Sequence, residues 1–333
     1  MMASHSDTSE RQTYSLCIIG AGALGSRHLQ AMAKLHFANI CVVDPSPAAL
    51  ATAEQRWVEV VDPSQNSFAT FTADLPTHIS CYDLVVIATS AMPRLKVMQD
   101  LLEKCTVKAL ILEKVLFTQL SEYSTATALL TQYAVPAWVN CTRRTFRSYK
   151  ELKAMLPVGM PLHVRVAGGE WGLGCNAIHF IDLVSYLSDD QIMSVDTKGL
   201  DPGSIPSKRQ GYVEFGGSVD VYFKNGSQLE LVSSKGKHRH LIELRVGEHQ
   251  FLIDEVKKQL LYCLADDTVW RTVAFHLPPT SGSMTAVYQS ILQHRHCDLP
   301  DFHQSSQQHK QIIAALSKHL GGDFASNGIC PIT

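Results

Sequence analysis

The segment 168–187, GGEWGLGCNAIHFIDLVSYL, carries side chains suited to proton transfer. Four glycines make a flexible loop, and the helix predicted after it places His179 and Asp182 one turn apart. An imidazole near its ordinary pKa can take or give a substrate hydroxyl proton at neutral pH. Asp182 could orient that imidazole or bind a substrate hydroxyl. The alternative is a structural helix histidine with its i+3 acid.

A lysine follows one of the buried strand-like runs. The run ALILE at 109–113 leads into Lys114 and Val115. The carboxyl ends of strands in an open parallel sheet face the ligand crevice. A lysine held there can have a lowered pKa and can polarise an oxygen on the reacting carbon. The alternative is a lysine that leaves the sheet into solvent.

The motif GAGALG at 20–25 matches GxGxxG, follows an apolar strand and opens a predicted helix. Gly20 permits the tight turn, Gly22 lets the backbone approach a pyrophosphate, and Gly25 lets the helix pack closely. The N-terminus of that helix offers free N–H groups to phosphate oxygens. The cofactor contacts predicted here come from Gly20, Gly22, Ala23, Leu24 and Gly25.

Asp44 ends the next strand, NICVVD, 24 residues after Gly20. Its carboxylate would accept hydrogen bonds from the adenosine ribose hydroxyls and repel a 2'-phosphate, so NAD is favoured over NADP. The alternative is a glycine turn with a surface aspartate and no ligand. Thr89 and Ser90 follow the strand DLVVIA, where they could contact the cofactor, although Ser90 could equally cap the following helix.

The alternation of elements sets where these groups lie. Up to about residue 145, continuous apolar strands alternate with helices, which predicts a parallel sheet covered on both faces. Later strands alternate in polarity, with turn signals at Asn225-Gly226, Gly247-Glu248 and Asp266-Asp267. The predicted class is α/β: an N-terminal Rossmann domain (1–145) and a C-terminal α+β domain (146–333) with an open, mostly antiparallel sheet.

Composition excludes several classes of protein. The formal net charge of the 333 residues is -2, which gives no general attraction to nucleic acid or anionic membranes. None of the nine cysteines forms a CxxC pair, so no metal site is predicted and the thiols read as buried and reduced. The polar first 13 residues do not resemble a signal peptide, and no apolar run is long enough to cross a bilayer. We therefore expect a cytoplasmic protein.

A small basic cluster follows in the second half. Lys235 and Lys237 precede His238, Arg239 and His240. Short charge runs of this kind are usually solvated hairpins. The alternative is contact with an anionic substrate or with cofactor phosphate.

Together these segments resemble the Gfo/Idh/MocA family of sugar and cyclitol dehydrogenases. The resemblance runs over nearly the whole chain. It rests on the order and spacing of its motifs, which are GAGALGSRHLQAM, VVIATS, LEKVL for the family's E-K-P, VNCTRRTF for its N-R-R-F, the glycine-rich stretch ending in H-x-x-D, and the closing LPDFHQSSQQHKQIIAAL.

The resemblance implies a crevice in which Lys114 and His179 flank the substrate carbon that faces nicotinamide C4. His179 would be the base for oxidation or the acid for reduction, and Lys114 would hold the hydroxyl oxygen. It also implies that the C-terminal sheet joins subunits into a dimer or tetramer. The residues assigned on this basis are Lys114, His179 and Asp182 for catalysis, Glu113 and Lys114 for further cofactor contact, and Lys114, Trp171, Asn176 and His179 for a sugar-type substrate.

Two positions depart from the family pattern. Val115 replaces the family's proline, so we expect a trans peptide after Lys114. Cys175 stands where many members have a catalytic aspartate, and the adjacent Asn176 is no proton acceptor. The chemical step is therefore less firmly implied than cofactor binding.

Three functions follow from these observations. The first is an NAD-dependent dehydrogenase or reductase acting on CH–OH groups of a sugar. The second is a dinucleotide-binding regulatory or scaffold protein, which the two departures favour. The third is a glycosidase or epimerase that uses NAD transiently. Net NADH formation, binding without turnover, and turnover without net NADH would distinguish them.

Overall fold

The computed structural model describes residues 13–35, 37–63, 69–76 and 81–333. The polar segment 1–12, predicted to be a tail, lies outside the described residues. In chain order, the first half forms β1 (Tyr14–Ile19), α1 (Ala23–Met32), β2 (Phe37–Val43), α2 (Pro47–Val58), β3 (Ala69–Thr72), β4 (Cys81–Tyr82), β5 (Leu84–Ile87), α3 (Ala91–Lys104), β6 (Thr106–Val107), β7 (Leu110–Leu112), α4 (Leu120–Gln132) and β8 (Ala137–Val139).

Six of these strands form one parallel sheet in the order β3-β2-β1-β5-β7-β8. Every residue of β5 and β7 is buried, as expected of strands covered by helices on both faces. The strand order turns outward in both directions from β1, so the carboxyl ends of β1 and β5 border a crevice. The predicted N-terminal Rossmann-type sheet is confirmed.

A 3₁₀ turn at Thr142–Thr145 and α5 (Arg147–Met155) lead into the second half. Its elements are β9 (His163–Gly169), α6 (Leu173–Ser188), β10 (Ile192–Asp196), β11 (Ile205–Pro206), β12 (Val213–Glu214), β13 (Gly217–Phe223), β14 (Gln228–Ser234), β15 (Leu241–Val246), β16 (His249–Asp254), β17 (Gln259–Cys263), β18 (Arg271–Ala274), α7 (Thr280–His294), α8 (Phe302–Leu320) and α9 (Gly322–Asn327).

The second sheet has eight strands in the order β10-β13-β14-β9-β15-β16-β17-β18. All neighbours are antiparallel except β9 and β14. The turns predicted at Asn225-Gly226 and Gly247-Glu248 join β13 to β14 and β15 to β16. The expected open, mostly antiparallel sheet is therefore confirmed.

One face of this sheet packs on α6, and the other is polar. The apolar stripe of α6, which includes Ile178, Ile181 and Val184, is buried in the core. On the opposite face Arg165 of β9 lies between carboxylates on both neighbouring strands, Glu230 at 2.9 Å and Glu243 at 3.7 Å. Their side chains are about half exposed. Among the described residues, helices therefore cover only one face of the sheet.

The last helices return to the first half. Helix α7 packs on α1, and Met284 and Ile291 share a core with Leu29 and Met32. Helix α8 packs against α4, α6 and β8. The division into 1–145 and 146–333 stays a prediction, and α7 is a segment of the second half that covers the first.

Glycines form the entry of two helices. Helix α1 begins at Ala23, directly after Gly22. Helix α6 begins at Leu173, after Gly172 in the left-handed conformation with φ of 75°. Residues from the first turns of both helices line the crevice. No helix in the described part of the chain combines the length and hydropathy that crossing a membrane requires.

Candidate functional site

A first cavity of about 680 Å³ opens at the carboxyl ends of β1, β2 and β5. All the predicted cofactor-binding residues except Gly25 line it. They are Gly20, Gly22, Ala23, Leu24, Asp44, Thr89, Ser90, Glu113 and Lys114.

The three glycines of the turn differ in what surrounds them. Gly20 has a φ of +100°, and a Cβ on it would lie 2.8 Å from the Ala88 carbonyl carbon. A Cβ on Gly25 would lie 1.7 Å from the Gly20 carbonyl oxygen, so α1 packs directly on the turn. A Cβ on Gly22 would meet nothing within 4 Å. No side chain caps α1 at Gly22, which leaves an open cradle of the kind that a diphosphate fits.

Asp44 ties this turn to the end of β2. Its Oδ2 accepts a hydrogen bond from the Ala21 N–H at 2.7 Å, and its Oδ1 accepts one from the Ser46 N–H at 2.8 Å. The residue is partly exposed at the cavity wall, and each carboxylate oxygen has a second lone pair. The arrangement suits the acceptance of hydroxyl hydrogen bonds.

Thr89 and Ser90 lie where β5 runs into α3. The Thr89 hydroxyl is buried and has no hydrogen-bond partner in the structure. Ser90 occupies the N-cap position, but its side chain makes no capping bond. Instead, the Thr333 hydroxyl accepts from the Ala91 N–H at 3.1 Å. Thr333, from the second half of the chain, therefore caps α3 in place of Ser90. The Ser90 hydroxyl makes no capping bond to α3, and the Thr89 hydroxyl makes no bond in the described structure.

Glu113 is held inside the protein. It accepts hydrogen bonds from His28 Nε2 at 2.7 Å and Asn140 Nδ2 at 2.6 Å. His28 Nδ1 in turn contacts the Tyr288 hydroxyl on α7. Burial acts to raise the pKa of Glu113, but His28, Asn140 and Lys114 together hold that pKa below its ordinary value. Glu113 is a fixed carboxylate that also accepts from the Lys114 N–H at 3.2 Å.

Lys114 joins the two halves of the molecule. Its Nζ donates to the Cys175 carbonyl oxygen at 3.0 Å, in the first turn of α6. The peptide between Lys114 and Val115 is cis, so the expected trans peptide is wrong. The buried Arg94 guanidinium donates to the Val115 and Leu116 carbonyl oxygens. Hydrogen bonds from a buried side chain thus hold the backbone that proline would hold in the family pattern.

A second cavity of about 510 Å³ adjoins the first, and Leu24, Lys114 and Arg209 line both. Three of the predicted substrate residues, Lys114, Trp171 and Asn176, line it as well. Trp171 Nε1 donates to the Val232 carbonyl oxygen at 2.8 Å, and Asn176 Nδ2 donates to the Trp171 carbonyl oxygen at 2.9 Å. These bonds fix the glycine-rich loop as a wall of the cavity.

His179 lies one helical turn beyond Cys175 and Asn176 and is not part of either cavity wall. Its Nδ1 is buried and has no partner in the structure. Burial, together with the positive charges of Lys114 and Arg143, places the pKa of His179 well below its ordinary value. The expectation of a near-ordinary pKa is therefore wrong, and the imidazole is neutral at neutral pH.

Asp182 does not orient His179. Both of its oxygens accept from the Arg144 guanidinium, Oδ2 from Nε at 2.9 Å and Oδ1 from Nη2 at 2.6 Å. The aspartate is fully buried, and burial raises its pKa to about 6 against the opposing charge of Arg144. Because Arg144 from the preceding 3₁₀ turn binds both carboxylate oxygens, the structure favours a structural role for Asp182 over the predicted catalytic one.

Glu214 is a site residue that sequence reasoning missed. Its Oε2 accepts from the Gly174 N–H at 2.6 Å and its Oε1 from the Cys175 N–H at 3.3 Å, so it caps α6 from the β12 strand. Burial, with Glu214 nearby, raises the pKa of the Cys175 thiol to about 12. Cys175 is therefore a neutral thiol. Nothing in the sequence VEFGG around Glu214 marks it, since the contact depends on how β12 folds back.

The basic cluster divides between structural and cavity positions. Arg239 pairs with Asp254, and the His240 ring packs against Trp171 at a centroid distance of 5.3 Å. His238 contacts the Lys235 carbonyl oxygen. The Lys235 side chain lines the second cavity. The cluster is neither a wholly solvated hairpin nor a single anion site.

Comparison with known proteins agrees with this geometry. Residues 15–141 match the family model GFO_IDH_MocA, described as an oxidoreductase family with an NAD-binding Rossmann fold. No curated protein matches the sequence significantly.

Solved structures share the fold over nearly the whole chain. UDP-N-acetylglucosamine 3-dehydrogenase GnnA from Acidithiobacillus ferrooxidans is 12% identical with a TM-score of 0.67, over 91% of this chain and 97% of that one. A super-repressor mutant of Gal80p from Saccharomyces cerevisiae is 13% identical with a TM-score of 0.69, over 95% and 99%. An oxidoreductase from Agrobacterium radiobacter in complex with NAD+, L-tartaric acid and magnesium is 15% identical with a TM-score of 0.68, over 95% and 97%. At these identities the likeness shows the fold alone.

Proposed function

Because residues 15–141 match the family model of NAD-binding Gfo/Idh/MocA oxidoreductases, we propose that the protein transfers a hydride between nicotinamide and a hydroxyl-bearing carbon of a sugar or sugar derivative. One observation carries the proposal: Lys114 lines both cavities and is bonded to α6 across their junction. A positive side chain at that point faces both a dinucleotide and a second ligand.

The first cavity has the groups that a dinucleotide needs. Gly22 and the uncapped first turn of α1 would hold the diphosphate, and Asp44 would accept from the adenosine ribose hydroxyls. The unpartnered Thr89 hydroxyl supplies a further hydrogen bond. A bound nicotinamide would supply the hydride acceptor or donor. The negative charge of Asp44 disfavours a 2'-phosphate, so we propose NAD as the cofactor in preference to NADP.

Lys114 is positioned to hold the reacting oxygen. An ammonium group has three N–H donors, and the Cys175 carbonyl takes one of them. The remaining donors can bind a substrate hydroxyl in the second cavity. As the proton leaves that hydroxyl, the positive charge stabilises the developing alkoxide, which is the role of a fixed electrostatic donor.

His179 is the proposed proton acceptor. Of the three polar side chains at this end of α6, the Cys175 thiol stays protonated because of its raised pKa, and Asn176 cannot accept a proton. The His179 imidazole is neutral and its Nδ1 is unpartnered. It lies one helical turn beyond Cys175 and Asn176, the residues of α6 that line the cavity.

The second cavity supports a small-molecule substrate. Its volume of about 510 Å³ is within the usual range for such sites, and Trp171 offers an aromatic wall. One structural relative is named for a dehydrogenation of UDP-N-acetylglucosamine, which agrees with a sugar-type substrate. We also propose that the polar outer face of the second sheet, centred on Arg165, joins copies of the chain into a dimer or tetramer.

A regulatory protein is the second candidate. Two observations favour it: Cys175 occupies the position of the family's acid, and Asp182 is locked by Arg144. One structural relative is named as a super-repressor mutant. A chain of this kind would bind NAD and a sugar without turnover.

The test follows NADH absorbance while the purified protein is incubated with NAD and a panel of sugars and nucleotide sugars. Product analysis by mass spectrometry runs in parallel. Net NADH with an oxidised sugar supports the proposal. Binding of NAD without any turnover across the panel favours the regulatory role. Sugar conversion without net NADH indicates transient oxidation, as in an epimerase or glycosidase, and contradicts simple hydride transfer.

A further inference from the structure

The second cavity is lined by positive side chains from three parts of the chain. Lys208 and Arg209 come from the turn between β11 and β12, and Lys235 comes from the loop after β14. Lys114 lies at the junction with the first cavity. The chain as a whole has a net charge of -2, so a general excess of basic residues does not explain the group.

The acidic side chains of this cavity are already engaged. Glu214 accepts from the Gly174 and Cys175 N–H groups. Glu170 accepts from the Gly236 N–H at 3.2 Å. Both carboxylates therefore hold backbone at the cavity wall, which four cationic residues also line.

Lys208, Arg209 and Lys235 have no carboxylate partner in the described part of the chain. Within the described residues, Lys208 and Lys235 form no ion pair, and the hydrogen bond of Arg209 is to the Thr333 hydroxyl at 3.4 Å. Arg239, four positions after Lys235, pairs with the buried Asp254. The loop after β14 therefore holds a paired arginine beside Lys235, which lines the cavity without an ion pair in the described part of the chain.

We propose that the second cavity selects a substrate bearing an anionic group, a carboxylate or a phosphate, which Lys208, Arg209 and Lys235 hold. A cavity lined by one sign of charge concentrates ligands of the opposite sign. The arginine fork matches the paired oxygens of either anion, while lysine acts as a point charge. The identity of the reaction rests on the function proposed above, but the anion preference concerns binding alone.

Lys208 and Lys235 give the site its direction. They line only the second cavity, whereas Arg209 and Lys114 line both cavities and therefore lie at the junction. A substrate whose anionic group contacts Lys208 and Lys235 can place the carbon to be oxidised at Lys114. The cavity then discriminates among sugars first by charge and then by the position of the hydroxyl.

The experiment compares sugars of matched stereochemistry that differ in charge: a hexose, its uronic acid and its 6-phosphate. Affinity is measured by isothermal titration calorimetry on the protein saturated with NAD, and kcat/KM is measured from NADH absorbance. We expect at least one anionic member to bind about tenfold or more tightly than the hexose, an advantage that shrinks with added salt because the contacts are partly exposed. Preference for the uronic acid or for the phosphate identifies the source of the anion, and both support the proposal.

Variants locate the effect. Lys235→Gln should lower the affinity for the anionic sugar by about five- to tenfold. The double variant, which adds Lys208→Gln, should lower that affinity further. Lys237→Gln is the matched control, since Lys237 is exposed in the same loop and does not line the cavity. Circular dichroism checks the fold, and NAD affinity is measured separately for each variant.

The outcomes separate the two proposals. Tight, salt-sensitive binding of the anionic sugar without hydride transfer supports the anion site and contradicts the proposed reaction. Equal affinity for charged and neutral sugars, with NADH formed from both, overturns the anion site and leaves the reaction standing. The anion site is also overturned if no sugar binds. It is overturned as well if the lysine variants lower the affinity for NAD as much as the affinity for the sugar, because the cations would then bind the cofactor.

Discussion

Lys114 Nζ donates a hydrogen bond to the carbonyl oxygen of Cys175 at 3.0 Å, and this bond joins the end of β7 to the first turn of α6. Lys114 follows a strand of the first sheet, Cys175 lies in the helix that packs on the second sheet, and the two residues are 61 positions apart. The lysine is thereby held at the boundary of both cavities instead of extending into solvent. This contact orients Lys114 for the proposed reaction.

Lys114→Ala should abolish turnover, with a fall in kcat of at least about a hundredfold, because the alkoxide loses its positive partner. NAD affinity should stay nearly unchanged, since the diphosphate and ribose contacts come from elsewhere. Steady-state kinetics and calorimetry with NAD measure the two quantities. Lys114→Arg is the companion variant, which keeps the charge with a different shape. Near-full activity of the alanine variant would remove Lys114 from the mechanism.

His179 predicts the shape of the pH profile. Because its pKa is lowered by burial and by Lys114, Arg143 and His309, the imidazole remains deprotonated well below its ordinary value of about 6.5. Oxidation should therefore stay constant as the pH falls through 6.5 and be lost only at lower pH, when the base becomes protonated. The profile of kcat/KM against pH tests this. His179→Ala should abolish turnover, and an acid limb centred near 6.5 would contradict the assignment.

Asp44→Ala should weaken NAD far more than NADP, because the variant loses ribose hydrogen bonds but also the repulsion of a 2'-phosphate. A charged hydrogen bond contributes about 1.5–3 kcal/mol, so NAD affinity should fall roughly tenfold or more. Some loss for both cofactors is expected, since Asp44 also holds the Ala21 N–H. Asp74→Ala, on another carboxylate of the same cavity wall, is the control. Equal losses of affinity for NAD and NADP would contradict the proposed preference for NAD.

The Arg144–Asp182 pair should matter for folding and not for chemistry. Arg144→Met alone leaves a buried, unpaired carboxylate and should cost about 3–5 kcal/mol in the free energy of unfolding. Arg144→Met combined with Asp182→Leu should recover much of that loss. Urea unfolding measures both variants. If Asp182→Asn unfolds like the parent protein yet has lost activity, the structural role assigned to Asp182 is wrong.

The parts of the site that rest on local sequence were predictable. Strands such as LVVI at 84–87 read as buried on both faces, and the three glycines of the turn could be assigned separate roles. Both predictions depend on residues that lie close together in the sequence, as Gly20 and Asp44 do at a separation of 24 residues. The parallel sheet and the first cavity therefore follow from the sequence itself.

Long-range contacts account for what the sequence missed. Asp182 and Arg144 are 38 residues apart, and their pairing depends on how the 3₁₀ turn at Thr142–Thr145 meets α6. Glu214 reaches Gly174 only because β12 folds back over the loop. The backbone after Lys114, with its cis peptide, accepts hydrogen bonds from the buried Arg94 of α3, 21 residues earlier in the chain than Val115. No local pattern distinguishes these residues from ordinary surface charges.

The packing of α7 on α1 has a consequence for biosynthesis. The apolar side of α1, with Leu29 and Met32 fully buried, is covered by residues such as Met284 and Tyr288 that the ribosome adds more than 250 positions later. The half with the parallel sheet therefore cannot bury this face of α1 as it emerges, although it is translated first. Its last face stays uncovered until most of the polypeptide exists, which is the interval in which a chaperone would be needed.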